Sequence, residues 1–352
     1  MFKPVFHYTP KMVNELGKIE RLYGQLLSEK LMPSLALTLS QENQMLSTHH
    51  STSIEGNPLS PRDVTNIVLG SQIPTTKSEK EVKNYFSVLN TIFVLVNKRE
   101  PITPALTEKL HKELMEGIAQ KKSLGSFRNG QVFVGHKSRD EIVVKHNPPY
   151  HTEFEIRNAL ISLYDWLSES DELHPLIKAG IMHHQFAYIH PFFDGNGRLA
   201  RILSAYYLLL QHYDVVKYFI LDDYYDIDRQ LYSDTLHTAD LGDKTAWIEY
   251  FLEGISYSLQ AALGRIAQLQ DTNLEKIKGE KRVLVTSREE DVLRIILEKK
   301  AIKTSDIQDA LSVTRQQAHS LLYSLVKKGL LQKFGKTKTS YYTLLKNEAE
   351  KI

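Results

Sequence analysis

The chain contains no cysteine. That excludes disulfides, cysteine-ligated zinc and thiol catalysis, and it suits a reducing cytosol. Long hydrophobic runs are also missing. The longest purely apolar or aromatic stretches, such as Ala205 to Leu210, fall far short of the roughly 20 residues that span a bilayer. Met1-Phe2-Lys3-Pro4-Val5 does not build the apolar stretch of a signal peptide. A soluble, cytoplasmic protein with no membrane partner is therefore expected. Charge of one sign is lacking too: 44 Lys and Arg stand against 42 Asp and Glu, for a formal net charge of +2. Any electrostatic preference for a partner has to be local.

What remains is an ordinary globular composition, 42% hydrophobic and 24% charged, over 352 residues. That length predicts two or three domains, each able to bury a core. Apolar residues recur at three- and four-residue intervals through 10–30, 35–55, 78–97, 104–118, 152–168, 174–189, 197–211 and 243–268, which predicts helices there. Pro and Gly punctuate the joins, as in Gly56-Asn57-Pro58-Leu59-Ser60-Pro61. One stretch differs. Gln131–Gly135 and Glu141–Val144 are short β-branched runs joined by His136-Lys137-Ser138-Arg139-Asp140, and they predict a β-hairpin within a mainly α domain.

The charge run Glu275–Arg282 marks a solvated linker or the end of a long helix. Beyond it, three amphipathic helices over 287–299, 304–311 and 313–328 precede two alternating segments, Leu330–Phe334 and Ser340–Leu344. The economical reading is a winged helix-turn-helix whose wing closes through Gly335–Lys338. From Ser312 to Leu345 there are six Lys or Arg (Arg315, Lys327, Lys328, Lys333, Lys336, Lys338) and no acid. Ser312 or Thr314 can cap the third helix, and Arg315, Gln316, Gln317 and His319 fall near its start, where a recognition helix reads bases. The unit is suited equally to DNA and to protein docking. The expected division is 1–95, 96–272, a linker at 273–283, and 284–352.

The segment that carries chemistry is His190-Pro191-Phe192-Phe193-Asp194-Gly195-Asn196-Gly197-Arg198-Leu199-Ala200-Arg201. Pro191 drives His190 out of the α region and ends the preceding helix. Gly195, Asn196 and Gly197 tolerate positive φ and close approach to a ligand. A new helix then starts near Gly197, and its free N–H groups and dipole make an anion site. Arg198 and Arg201, three apart, lie on one face beside it and suit phosphate oxygens. Asp194 is a hard oxygen ligand fit for Mg²⁺, and His190 can take a proton from a hydroxyl at neutral pH. Together these describe phosphoryl or nucleotidyl transfer. The adjacent pairs His49-His50 and His183-His184 are not expected to bind metal, because neighbours on a helix diverge by roughly 100°.

This segment resembles the Fic signature, HPFx[D/E]GNGRxxR, at every fixed position. The resemblance implies a helical Fic core with the motif loop between two central helices, and transfer of AMP from ATP to Tyr, Thr or Ser of a protein. His190 would be the base and Asp194 the Mg²⁺ ligand. Gly195, Asn196 and Gly197 would cradle the α/β phosphates, with Arg198 on a bridging region and Arg201 on the γ-phosphate. The hairpin at 131–145 resembles the family's flap, which pairs with a target segment, and Gly125-Ser126-Phe127-Arg128 also fits. Arg229–Leu236 and Trp247–Leu252 resemble the helices closing the nucleotide pocket, so that Tyr232 is either near the adenine or a core aromatic.

Ser51-Thr52-Ser53-Ile54-Glu55-Gly56 resembles the inhibitory motif [S/T]xxxE[G/N] of the N-terminally inhibited class. Gly56 suits the C′ position that ends a helix, which leaves Glu55 at the negative end of the dipole and in need of a cation. Arg201 is the candidate partner, since it can receive a carboxylate in a charge-assisted pair. The γ-phosphate would then lose its clamp. The resemblance thus implies an autoinhibited protein adenylyltransferase. Transfer of another phosphate-containing moiety, removal of AMP, and a DNA-binding regulator remain alternatives, and a homodimer is left open.

Overall fold

The computed structural model describes residues 2–29, 33–70, 72–138, 141–169, 172–214, 217–277, 286–299, 301–311, 313–335 and 340–344. The chain divides into two compact units, residues 1–29 with 39–265, and residues 30–38 with 266–352. As expected, it is mainly helical.

The helices of the first part run α1 (Pro10–Ser28), α2 (Pro33–Ile54), α3 (Pro61–Val68), α4 (Lys77–Asn97) and α5 (Pro104–Leu114), then α6 (Glu153–Glu169), α7 (Pro175–Ile189), α8 (Asn196–Leu210), α9 (Asp222–Ile227), α10 (Arg229–Thr238) and α11 (Thr245–Ile277). Local chemistry starts many of them. Proline occupies the first turn of α1, α3, α5 and α7, where its missing N–H costs nothing. Ser60 with Asp63, and Thr76 with Glu79, close reciprocal capping boxes on α3 and α4. The short α3 has no counterpart in the predicted set, because eight residues give too few turns for a period to show. Helix α11 continues through 273–277, so that part of the expected linker is helical, and residues 278–283 lie outside the described set.

Helices α7 and α8 form the centre. Every residue from Leu176 to Phe186 is buried, as is nearly every residue of α8. Helix α7 packs on α8 and α6, and α8 packs on α4 and α5. Trp247 of α11 donates its indole N–H to the Gly180 carbonyl at 2.7 Å. A Cβ at Gly180 would stand 3.1 Å from the Phe251 ring, so glycine is what lets α7 and α11 approach.

The hairpin forms, but further along the chain than its β-branched residues suggest. Strand β1 is Val134–Ser138 and β2 is Glu141–His146, antiparallel, with Gly135 opposite Val144 and a bulge between Val134 and Gly135. His136, Lys137 and Ser138, assigned to the turn by pattern, are paired; Arg139 and Asp140 lie outside the described residues. The displacement has a cause at the strand's root. Arg128 N–H donates to the Pro191 carbonyl at 2.9 Å and Gly130 N–H to the His151 carbonyl at 2.7 Å, so the chain is tied elsewhere before the ladder begins.

In the second unit, α12 (Ser287–Lys299), α13 (Thr304–Leu311) and α14 (Arg315–Lys327) combine with the antiparallel pair β3 (Leu331–Phe334) and β4 (Tyr341–Leu344). Val292, Ile296, Ile307, Leu322, Leu325 and Tyr342 fill its own core, and Tyr342 exchanges two backbone hydrogen bonds with Ile302. Thr314 is the cap of α14; Ser312, the other candidate, lies outside the described residues. Gln317 completes that capping box, so its side chain is spent on the helix start and not held out toward a partner. Lys328 is likewise committed. Its ammonium binds buried Glu289 at 2.6 Å, and although burial pushes that carboxyl up, Lys328, Ser324 and Thr286 outweigh it and hold the pKa near about 2.

Candidate active site

The site begins where α7 must stop. His190 is the C-cap of α7 in the left-handed region, φ 50° and ψ 62°. Gly195 then starts α8 with φ 84°. Between them the loop is locked by its own asparagine: Asn196 Oδ1 accepts from the Phe192 N–H at 2.9 Å and Nδ2 donates to the Phe192 carbonyl at 2.8 Å. The side chain of Asn196 therefore shapes the loop.

Two residues outside the motif support this loop. His111 stacks on Phe192 with centroids 3.6 Å apart. Its Nδ1 accepts from the Gly125 N–H, and its Nε2 donates to the Asp194 carbonyl, both at 3.1 Å. Burial pushes its pKa down to about 4, so it serves as a neutral strut. Arg128 is fully buried and spreads its fork over backbone oxygens: Nε to His190 at 2.7 Å, Nη1 to Gly130 at 2.6 Å and Nη2 to Ile189 at 3.3 Å. It joins the root of the hairpin to the cap of α7. Replacing it by Met leaves those carbonyls unpaired, and an urea-unfolding series should show a loss of roughly 3 kcal/mol or more. A loss under about 1 kcal/mol would mean that water replaces the guanidinium.

The two arginines of α8 are both buried, and both meet carboxylates from the N-terminal helices. Arg201 donates from Nε to Ser51 Oγ at 2.6 Å, and from Nη2 to the Ser51 carbonyl and to Glu55 Oε1, both at 2.8 Å. Asp222 Oδ1 stands 3.5 Å from Nε. Burial opposes the charge on Arg201, but Glu55, Tyr232, Asp222 and Tyr85 outweigh it and raise its pKa. A Cβ added at Gly197 would collide with the Glu55 carboxylate, so the acid rests against the first turn of α8. The expected end of α2 is present: Gly56 has φ +86° and its N–H returns to the Ser53 carbonyl. Arg198 binds Asp194 Oδ1 at 3.0 Å and lies 3.4 Å from Glu81 Oε1, while its buried Nε and Nη1 make no hydrogen bond. Glu81 in turn accepts from Asn57 Nδ2 at 2.9 Å, which ties the end of α2 to the same cation.

The structure thus gathers His190, Asp194, Gly195, Asn196, Gly197, Arg198, Arg201, Ser51 and Glu55 around one loop. Tyr232 is placed as a core aromatic. Its ring stacks on Tyr225 at 4.5 Å, and its hydroxyl shares a hydrogen bond with His183 Nε2 at 2.9 Å. Sequence reasoning named Arg128 only within a stretch that fits the family and gave it no role, and it missed His111, Glu81 and Asp222, and also a hub at Asp240. That carboxylate meets His146 Nδ1 at 2.7 Å, His184 Nε2 at 2.9 Å and His237 Nδ1 at 3.0 Å. His146 also donates from Nε2 to the Tyr188 carbonyl at 2.8 Å, so it links β2 to α7. The adjacent-histidine rule holds for His183 and His184, which face different partners. It does not keep His49 and His50 apart: their rings lie 5.1 Å from each other, and His50 meets Asp226 of α9.

A profile of the Fic/DOC family matches residues 101–208. The chain carries a Fic domain. That match takes in α5, the hairpin and the motif loop, and leaves Ser51, Glu55 and Tyr232 outside it. Protein adenylyltransferase Fic of Nematostella vectensis is 29% identical over 259 residues, 70% of this chain and 55% of that protein. Protein adenylyltransferase fic-1 of Caenorhabditis elegans is 26% identical over 244 residues, 67% of this chain and 44% of that protein. The chain thus spans about half the length of these curated relatives. Among solved structures, a Fic family protein from Desulfovibrio desulfuricans G20 aligns with TM-score 0.64 at 22% identity, over 98% of this chain and 99% of that one. C. elegans Fic-1 aligns with TM-score 0.59 at 22% identity, over 73% of each chain. Those two likenesses are of fold.

Proposed function

We propose that this chain is an autoinhibited protein adenylyltransferase that moves AMP from ATP to a Tyr, Thr or Ser hydroxyl. The observation that carries this reading is the Glu55 carboxylate seated on Arg201 and against Gly197, a carboxylate where a phosphate would be drawn. In the released state Arg201 would hold the γ-phosphate, and Arg198, whose Nε and Nη1 make no hydrogen bond, would turn to the bridging oxygens. The target hydroxyl oxygen attacks the α-phosphorus as its proton passes to His190. The bond from that phosphorus to the bridging oxygen breaks, and pyrophosphate leaves.

Mg²⁺ fits the donor set. Asp194 is half exposed, and its Oδ1 serves Gly195 N–H and Arg198, while Oδ2 takes no hydrogen bond among the described residues. When bound, the ion would neutralise phosphate charge. The hairpin is the proposed docking strip for an extended target segment.

Burial, with His146 and Arg128 nearby, pushes the His190 pKa down to about 4, so the ring is neutral and able to accept a proton well below pH 7. Activity that needs the neutral ring is present above that value and lost as pH falls through it. Label transfer by a Glu55→Gly variant should therefore stay level from pH 8 to about 6 and fall only below about 5. A midpoint near 6.5 would place the ring in a more solvated setting than this. Transfer of α-label, but not γ-label, from ATP to protein tests the reaction itself. γ-Label transfer would make the chain a kinase, and α-label from UTP alone would change the nucleotide.

The C-terminal unit supports a second reading as a DNA-gripping winged helix, since Arg315, Gln316 and His319 are exposed on the first turns of α14. Of the expected wing lysines, Lys336 and Lys338 lie outside the described residues. A gel shift repeated across salt concentrations separates sequence-specific binding from simple phosphate attraction.

A further inference from the structure

We propose that His49, His50 and Asp226 form a regulatory site for a divalent transition metal of the zinc class, which clamps the inhibitory helix α2 to α9. One ligand atom from each of the three lies within 4.8 Å of the others. His50 Nδ1 already meets Asp226 Oδ2 at 2.8 Å. His49 Nδ1 is buried and has no hydrogen-bond partner, so a potential ligand is held out of water with nothing to bind. Two imidazoles and one carboxylate, with a position left for water, is a donor set that suits zinc, cobalt or nickel and not magnesium or calcium. Ligand atoms around a zinc ion sit roughly 3.3 Å apart, given bonds of about 2.0–2.1 Å, so rotamer-scale movement closes the site. Arg229 occupies the other oxygen, Oδ1, at 2.7 Å, and its cationic head disfavours ions held by charge alone.

The site's position supplies its role. His49 and His50 directly precede Ser51 and lie one to two turns before Glu55 on α2. Asp226 belongs to α9, whose Asp222 accepts from Ser47 Oγ at 2.6 Å and faces Arg201. Arg229 reaches from Asp226 to Ser53 Oγ at 2.6 Å, so a fastening between these two segments already exists and an ion would tighten it. Bound metal would hold Ser51 and Glu55 on Arg201. This regulatory role rests on the reading of Glu55 as inhibitory.

The test is calorimetric titration of tag-free, full-length protein with ZnCl₂, beside label transfer from α-labelled ATP. Wild type should bind one zinc equivalent, and His50→Gln, which keeps a donor toward Asp226, should weaken it at least about tenfold, as should Asp226→Asn. His237→Gln, in the separate cluster at Asp240, should bind as wild type does. Zinc should depress the residual labelling by wild type and leave that by His50→Gln and Glu55→Gly unchanged. Zinc binding that survives in His50→Gln, or that is lost in His237→Gln, overturns the site. Zinc bound at the site without effect on wild-type labelling overturns the regulation. Should Glu55→Gly prove no more active than wild type, the inhibition reading fails while the calorimetry still decides the metal site.

Discussion

Glu55→Gly should raise the initial rate of AMP transfer by roughly 10- to 150-fold. The estimate follows from the bond that is lost. A hydrogen bond to a charged group contributes about 1.5–3 kcal/mol, and each 1.4 kcal/mol is tenfold; the Glu55 side chain is 36% exposed, which favours the lower half of that range. Removing the carboxylate frees one of the two hydrogen bonds that Arg201 Nη2 donates and clears the approach to the Gly197 N–H. The Ser51 contacts remain, and they are neutral acceptors that a phosphate can displace more readily than a carboxylate. Ser51→Ala, which keeps Glu55, should therefore activate much less. The measurement is incorporation of α-label at fixed ATP and Mg²⁺. Equal rates in wild type and Glu55→Gly would show that the grip on Arg201 opens too easily to restrain the enzyme.

In the activated background, His190→Ala should cost about 10²- to 10⁴-fold in rate, the usual contribution of a positioned general base. Binding of ATP should survive, because the proposed phosphate contacts come from the start of α8 and its arginines. The backbone of residue 190 is fixed independently of its ring, through Arg128 Nε on its carbonyl and its N–H on the Phe186 carbonyl. Equilibrium ATP binding measured beside the rate separates loss of chemistry from collapse of the loop. A loss under about fivefold, with binding intact, would assign the proton to another group or to water.

The parts of this site that sequence makes legible are those written in consecutive residues. Pro191 and the glycines announce the loop, the apolar period announces α7 and α8, and Gly56 announces the end of α2. Glu55 is legible for the same reason, as an acid at a helix end that wants a cation. His111, Glu81 and Asp240 carry no such mark, and Arg128 is visible only within a stretch that fits the family, without its role. Each acts on a partner far along the chain: Arg128 on the carbonyl of His190, His111 on that of Asp194, Glu81 on Arg198, and Asp240 on His146 and His184 besides its neighbour His237. Pairings of that kind are fixed only when the helices pack. The hairpin shows the limit from the other side, since its β-branched residues point to a ladder but the anchoring of Arg128 and Gly130 decides where pairing starts. Gln317 and Lys328 look like free contacts in the sequence because their uses, a cap and a buried ion pair, depend on geometry.

His190 sits at φ 50°, a conformation that costs a residue with a Cβ about 1–2 kcal/mol and a glycine almost nothing. Folding by itself therefore gains nothing from histidine at this position, and asparagine or glycine would hold the turn at least as well. Selection for a well-folded chain and selection for a working one pull in opposite directions at a single residue. In a lineage that no longer needed the proposed reaction, random substitution would wear away His190 early, and the descendant without it would be the sturdier protein.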